Sequence, residues 1–198
     1  MKRFFDIDQG DERIDVQRRS FVKYGFAGVV GSAIPFLSVG KALATSDKNN
    51  AWNVSFRHAH TGESFSGVYR VGDKYLPEAF ERLSYVLRDF RTHEVFPMDP
   101  HVLDIISIIQ KKTNSYDNLQ ILSGYRSPKT NAMLGRNTRG VASNSFHMYG
   151  QAIDIRIPDY STKKLRNVAR SLQAGGVGYY PRSSFVHIDT GKVRTWVS

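Results

Sequence analysis

Ser145-Phe146-His147-Met148-Tyr149-Gly150-Gln151-Ala152-Ile153-Asp154 is the stretch on which the reading of this chain turns, together with a second one, Phe185-Val186-His187-Ile188-Asp189. Each sets polar, chemically capable side chains into an apolar run with the two-residue alternation of a strand. Residues 152–157 read as a strand carrying Asp154 between Ile153 and Ile155, and 185–189 read as a strand carrying His187. Gly150 allows a sharp turn that brings His147, seven positions before Asp154, back over that strand. Taken singly, Asp154 reads equally as an edge-strand acid facing water, and His187 as a core histidine bonded to backbone. Taken together, two polar insertions in buried strands share one explanation, a common ion, with His147 as the third ligand. An acid among apolar neighbours costs several kcal/mol unless it is paired or metal-bound.

Two imidazoles and one carboxylate suit a single zinc ion with a position left open, the arrangement of catalytic zinc. The chain has no cysteine, so a closed thiolate site is excluded. Zinc held this way lowers the pKa of a water to about 7, which points to metal-assisted hydrolysis.

Working outward, the N-terminus reads as an export signal. Gln17-Arg18-Arg19-Ser20-Phe21-Val22-Lys23 has the twin-arginine pattern and precedes a mildly apolar run over 24–39. Gly25, Gly28, Gly31 and Pro35 interrupt that run, and it falls short of the about 20 apolar residues of a membrane span. Ala42-Leu43-Ala44 supplies the small residues of a cleavage site. The expectation is a signal peptide over 1–44, removed on export to the periplasm, and one zinc-binding hydrolytic domain over 45–198 with no membrane segment. The other reading is a basic amphipathic N-terminus on a cytoplasmic protein.

The whole chain has 198 residues and a net charge of +10, and residues 45–198 retain 21 basic against 13 acidic side chains. One domain with a real core is expected. A basic exported protein calls for an anionic partner. The cell wall fits the destination better than nucleic acid, for which no helix-turn-helix, RNP or zinc-finger pattern is present. The absence of cysteine means that no disulfide staples the fold.

Along this part of the chain, 52–58 and 65–71 read as a hairpin joined by the turn residues 60–64. Leu76, Ala79, Phe80, Leu83, Val86, Leu87 and Phe90 recur at helical spacing, predicting a helix over 77–91. A second helix starts at Asp99-Pro100 and ends near Lys111-Lys112. A short strand over 119–122 leads into Ser123-Gly124-Tyr125-Arg126-Ser127, a short helix over 128–134, and a polar loop over 135–145. Ser161 caps a further helix that Gly175-Gly176 stops, and 177–180 forms a last hairpin with 185–189. The expected class is α+β, a small, mostly antiparallel sheet with helices packed on one side.

Three further sets of residues are candidates. Arg126, on a loop directly after a strand, is placed to hold an oxyanion or a substrate carboxylate, or else makes a surface salt bridge. Asp189 leaves the same strand face as His187. It reads as a general base, as a partner that holds His187, or as a solvent-facing residue before Thr190-Gly191. Tyr125, Tyr149, Tyr179 and Tyr180 line a groove or simply pack; Tyr125, Tyr179 and Tyr180 are taken as substrate-binding. His58, His60, His93 and His101 show no partner spacing.

The pattern S-x-H-x-x-G-x-A-x-D, met by Ser145, His147, Gly150, Ala152 and Asp154, resembles the zinc peptidases that include D-Ala-D-Ala carboxypeptidases, VanX-type dipeptidases and the hedgehog signalling domain. His187 matches their distal zinc histidine and Ser123 to Ser127 their upstream arginine block. Gly175 to Arg182, Phe185 to Gly191 and His60-Thr61-Gly62-Glu63 are closer still to the YcbK-type branch of twin-arginine-exported murein endopeptidases. The resemblance implies a hedgehog/D-Ala-D-Ala peptidase-like fold, one Zn²⁺, and peptidoglycan as the partner. It implies as substrate cross-linked stem peptides, with the bond between two diaminopimelic acid residues favoured. Many relatives carry a catalytic acid or histidine shortly before the last zinc histidine. Ser183, Ser184, Phe185 and Val186 stand there in this chain, which leaves Asp189 as the candidate proton carrier on geometry. A monomer is expected. The rival readings are a D-Ala-D-Ala carboxypeptidase and a zinc-bearing wall-binding module without catalysis.

Overall fold

The computed structural model describes residues 50–137 and 141–198. The residues read as an export signal and cleavage site, 1–44, and the expected domain start at Thr45 lie outside the described residues. The compact unit is Ser46–Ser198.

The chain begins with a hairpin, β1 (Ala51–His58) and β2 (Ser64–Val71), followed by the short β3 (Lys74–Tyr75). Helix α1 (Pro77–Val86) has Pro at its first turn, and α2 (Pro100–Thr113) is capped by the Asp99 carboxylate, which accepts from His101 N–H at 3.0 Å. Next come β4 (Gln120–Ser123), α3 (Pro128–Asn137), a 3₁₀ turn (Phe146–Tyr149), β5 (Ala152–Arg156) and α4 (Thr162–Ser171). β6 (Gly176–Tyr180), β7 (Phe185–Asp189) and β8 (Arg194–Val197) complete the chain.

The strands form one eight-stranded sheet in the order β3-β2-β1-β4-β5-β7-β6-β8. The α+β class and the mostly antiparallel sheet hold, but with eight strands the sheet is not small, and two of its pairings are parallel. β1 pairs parallel with β4, and β6 parallel with β8. The first parallel pair arises because the long excursion through α1 and α2 returns the chain to the β1 edge, where a hairpin return is not available. β8 escaped the sequence reading because it is four residues long and mostly exposed, so no alternation marks it.

Alternation divides the sheet into two chemical faces. Ile153 and Ile155 of β5 and Val186 and Ile188 of β7 share one core cluster with Phe80 and Leu83 of α1, Leu103, Ile106 and Ile109 of α2, and Leu165 and Ala169 of α4. Asp154, His187 and Asp189 therefore emerge on the opposite face. Helix α3 contributes nothing to that cluster and instead holds Asn131 against Arg126 (3.4 Å).

Helix α1 stops at Val86, five residues before the predicted end. Leu87 is fully buried, yet its carbonyl accepts from Tyr125 N–H at 2.7 Å instead of continuing the helix. The Asp89 carboxylate turns the chain by accepting from the backbone N–H of Arg91 (2.9 Å) and Ser127 (2.8 Å). Phe90 leaves the helical face and stacks on His60. Gly124 makes this close approach of two segments possible, since a Cβ there would sit 2.5 Å from the Leu87 carbonyl oxygen.

Candidate metal centre

The 3₁₀ turn that carries His147 ends at Gly150, whose φ of +65° is the left-handed conformation that glycine favours. A Cβ at Gly150 would also meet the Pro97 carbonyl oxygen at 2.3 Å. From this turn His147 lies over β5, and it is sewn to the arginine loop in two places. His147 Nδ1 faces the Gly124 carbonyl at 2.8 Å, and Arg126 N–H donates to the His147 carbonyl at 3.1 Å. In the sheet, Asp154 of β5 pairs directly with His187 of β7.

These placements bring three ligand atoms together. His187 Nδ1 lies 2.9 Å from Asp154 Oδ1 and 3.1 Å from His147 Nε2, and His147 Nε2 lies 3.3 Å from Asp154 Oδ1. All three residues are buried. Four ligands at zinc–ligand distances of about 2.1 Å lie about 3.4 Å apart around a tetrahedron, so this triangle is close to one tetrahedral face.

The outer partners decide what the inner atoms present. A carbonyl only accepts, so His147 carries its proton on Nδ1 and turns the lone pair of Nε2 inward. His187 Nε2 faces Asp189 Oδ2 at 3.0 Å, so a neutral His187 carries its proton there and turns the lone pair of Nδ1 inward. Two nitrogen lone pairs and a carboxylate oxygen then converge, an arrangement that needs a cation between them. The donor set fits zinc.

Electrostatics agree. Burial opposes ionisation of Asp154, but the two histidines overcome it and hold the carboxyl well below its usual range. Burial drives His147 down and keeps it neutral. Burial also opposes charge on His187, but hydrogen bonds to Asp154 and Asp189 prevail and raise it to about 9. Without a cation, a proton on His187 takes the cation's place. That proton contributes stability that is complete below the unfolded imidazole value of 6.5 and is lost as pH rises through about 9. Metal-chelated protein is therefore expected to lose unfolding free energy between these two values, and zinc-loaded protein to lose none. Urea unfolding across the range checks this, and a flat profile for the chelated form would sink it.

Asp189 is fully buried behind His187, on the side away from the three ligand atoms. Its oxygens also accept from both Arg194 nitrogens (2.7 and 3.0 Å), Gly191 N–H (2.8 Å) and Gly176 N–H (3.2 Å). Burial works against its charge, and these donors hold its carboxyl well below the usual range. A carboxylate so committed suits the role of holding His187 and not that of carrying a proton. Arg126 stands on the Asp154 side. Its Nη2 is 3.7 Å from Asp154 Oδ2, and its buried Nε has no partner.

The family described as peptidoglycan L,D-endopeptidase MepK matches residues 46–196. The chain belongs to that family. It is a metallopeptidase, and the residues that converge here are the metal-binding candidates of a metallopeptidase. The chain is similar to the probable peptidoglycan L,D-endopeptidase MepK of Haemophilus influenzae, 38% identical over 92% of this chain and 97% of that protein. It is also similar to the peptidoglycan L,D-endopeptidase MepK of Escherichia coli K12, 36% identical over 93% of this chain and all of the relative. No solved structure gives a significant match.

In this family member the tyrosines separate by strand face. Tyr180, on the His187 side, stacks on Phe185 at 4.3 Å and accepts from Trp196 Nε1 at 3.2 Å. Tyr179 points to the helix side, where the Arg166 guanidinium lies 5.0 Å from its ring. Tyr125 is buried and stacks on Phe96 at 5.0 Å. Tyr149 is exposed and donates to Asn144. Two residues the sequence reading missed complete the site. Arg194 anchors Asp189, and Trp196 covers His187 with ring centroids 5.3 Å apart. Both lie on β8, and nothing in a strand this short singles them out. Gly178 leaves the space, since a Cβ there would meet the Trp196 ring at 2.6 Å.

Proposed function

We propose that this protein is a zinc-dependent peptidoglycan endopeptidase that cuts cross-linked stem peptides at the bond between two diaminopimelic acid residues. The observation that carries the reading is the convergence of His147, Asp154 and His187 with their lone pairs turned inward. The names of the relatives, L,D-endopeptidases, support the bond. Its carbonyl belongs to the L-centre of one diaminopimelate and its nitrogen to the D-centre of the next.

His147, Asp154 and His187 would hold one zinc ion. When bound, it polarises the scissile carbonyl and lowers the pKa of water to about 7. The chain's own residues do the rest. Asp189 and the Gly124 carbonyl fix the two imidazoles in the required tautomers. Arg126, fixed by its backbone bond to the His147 carbonyl and by Asn131, presents a cation beside the reacting carbonyl to take up developing negative charge. Trp196 and Tyr180 wall the β6 side and exclude water. Digestion of whole sacculi, followed by mass analysis of the muropeptides, tests the function. Loss of diaminopimelate–diaminopimelate dimers on zinc addition after chelation is expected. Release of terminal D-Ala alone would replace the reading by a carboxypeptidase, and no turnover would replace it by a binding module.

Arg126→Lys is expected to retain zinc while lowering kcat by about 10² or more, because a point charge does not reproduce a planar fork in a mostly buried position. Unchanged kcat/KM would return Arg126 to a structural role.

We place the mature protein in the periplasm, exported by the twin-arginine route, on the strength of Arg18-Arg19, the apolar run and Ala42-Leu43-Ala44. Among the described residues no helix is long and apolar enough to cross a membrane. Arg18→Lys with Arg19→Lys is expected to strand the protein inside the cell, and a normal periplasmic yield on fractionation would reject the route.

A further inference from the structure

Beside the metal centre, on the side toward β4 and β1, Arg91 and Arg156 have no acid to neutralise them among the described residues. Asp154 and Arg156 are two residues apart on β5 and leave the same sheet face. The Arg156 guanidinium is held over that face by Gln120 Oε1 (Nη2 at 2.8 Å, Nε at 3.3 Å), a neutral acceptor that leaves its charge whole. Arg91 approaches from the other side. Its guanidinium lies 4.2 Å from the Phe90 ring centroid, and Phe90 stacks on His60 at 4.3 Å with the planes 13° apart. The loop that carries Arg91 is tied to the arginine loop through Asp89, whose carboxylate accepts from both Arg91 N–H and Ser127 N–H. Among the described residues neither Arg91 nor Arg156 has a carboxylate partner. Arg126, whose Nη2 lies 3.7 Å from Asp154 Oδ2, keeps its buried Nε unpaired. After burial, Arg91 and Arg156 are the groups that lower the proton affinity of His60; at Arg126 burial acts first, Asp154 favours the charge, and Arg91 opposes it less strongly.

Guanidinium groups without a carboxylate partner, set beside a metallopeptidase centre, suit an anion of the substrate. We infer that Arg91 and Arg156 form a subsite for a free carboxylate of the substrate, the one borne by the carbon attached to the leaving nitrogen. This rests on the endopeptidase reading. In a diaminopimelate–diaminopimelate link the leaving nitrogen belongs to a D-centre whose own carboxyl is free. Planar guanidinium forks match such a carboxylate, and Gln120 and the Phe90–His60 stack preset their directions. The same chemistry would be offered by the terminal carboxylate of an uncross-linked stem, so cross-linked and linear peptides must be compared.

The test uses zinc-loaded protein and four peptides: a diaminopimelate-linked tripeptide dimer and a linear D-Ala-terminated stem, each with that carboxyl free or converted to the carboxamide. For the wild type on the dimer, the carboxamide is expected to lower kcat/KM about tenfold or more, mainly through KM, in line with loss of a charge-assisted hydrogen bond. Arg156→Gln and Arg91→Gln are expected to raise KM for the free acid by about tenfold and to leave the carboxamide nearly unaffected. Zinc content should be unchanged in both. Arg91 is exposed, so its variant remains informative if Arg156→Gln unfolds. Equal wild-type kcat/KM for acid and carboxamide, or variants that weaken both alike, would overturn the subsite. Discrimination confined to the linear stem would assign the carboxylate to a chain terminus and overturn the cross-link assignment. If wild type cleaves none of the four, the endopeptidase reading fails by itself. Calorimetric binding of the same peptides then decides the subsite: tighter binding of the acid forms, lost in the variants, sustains it, and equal binding rejects it.

Discussion

His187→Ala is expected to yield a folded protein that keeps no zinc and cuts no substrate. Two ligands do not define a catalytic zinc site, and the remaining pair, His147 Nε2 and Asp154 Oδ1, 3.3 Å apart, offers only two acceptors to the ion. The fold is expected to survive because the β7 residues that fill the core, Val186 and Ile188, are untouched and point to the other face. Asp154 would keep Arg126 at 3.7 Å, and Asp189 would keep Arg194 and two backbone donors. His147→Ala and Asp154→Ala are expected to lose zinc likewise. Elemental analysis after dialysis against a weak chelator measures this, with a cooperative thermal transition as the control for folding. Full zinc occupancy in His187→Ala would remove the assignment.

Asp189→Asn should act on both the metal and the fold. A carboxamide offers one acceptor where the carboxylate offers two, and its NH₂ must face Arg194, Gly176 N–H, Gly191 N–H or the His187 Nε2–H, all donors. Zinc affinity is expected to fall about 10- to 100-fold through loss of control over the His187 tautomer. Unfolding free energy at neutral pH is expected to fall by about 2–3 kcal/mol, below the full cost of a broken buried pair because Arg194 reaches water. The sign of the pH dependence follows from the depressed carboxyl. Its contribution is present above the unfolded aspartate value of 3.8 and is lost as pH falls through the acid range. The stability gap between wild type and variant should therefore close in acid. Zinc titration and urea unfolding at two pH values measure both effects. Full zinc affinity with kcat lower by about 10² to 10⁴ would instead restore Asp189 as the proton carrier.

The ligand set was legible because its signals are local. A histidine, a turn glycine and an aspartate inside an alternating apolar strand, followed by a second strand with one histidine, can be read in a window of a few residues. The same holds for α2, whose cap and apolar stripe are both contiguous. Helix α1 was read too long because Leu87 and Phe90 continue the helical period, while the contacts that end the helix come from Tyr125, Ser127 and His60, far along the chain. The two parallel pairings were hidden for a related reason, since a crossover records nothing in the sequence about the strand it returns to.

The chain by itself determined that His187 and Asp154 would share the polar side of a half-buried sheet, since a strand's two-residue period assigns each side chain to a face, and that the turn at Gly150 could bring His147 over them. Only the tertiary structure decided what those groups present to one another. Their tautomers depend on Gly124, brought in by the arginine loop, and on Asp189, which is locked by Arg194 from a strand too short to be read. The placement of Arg91 likewise depends on Asp89, which ties its loop to Ser127, and that of Arg156 on Gln120 of β4. Such meetings are set by packing and hydrogen bonding between segments distant in sequence, and no local pattern encodes the partner.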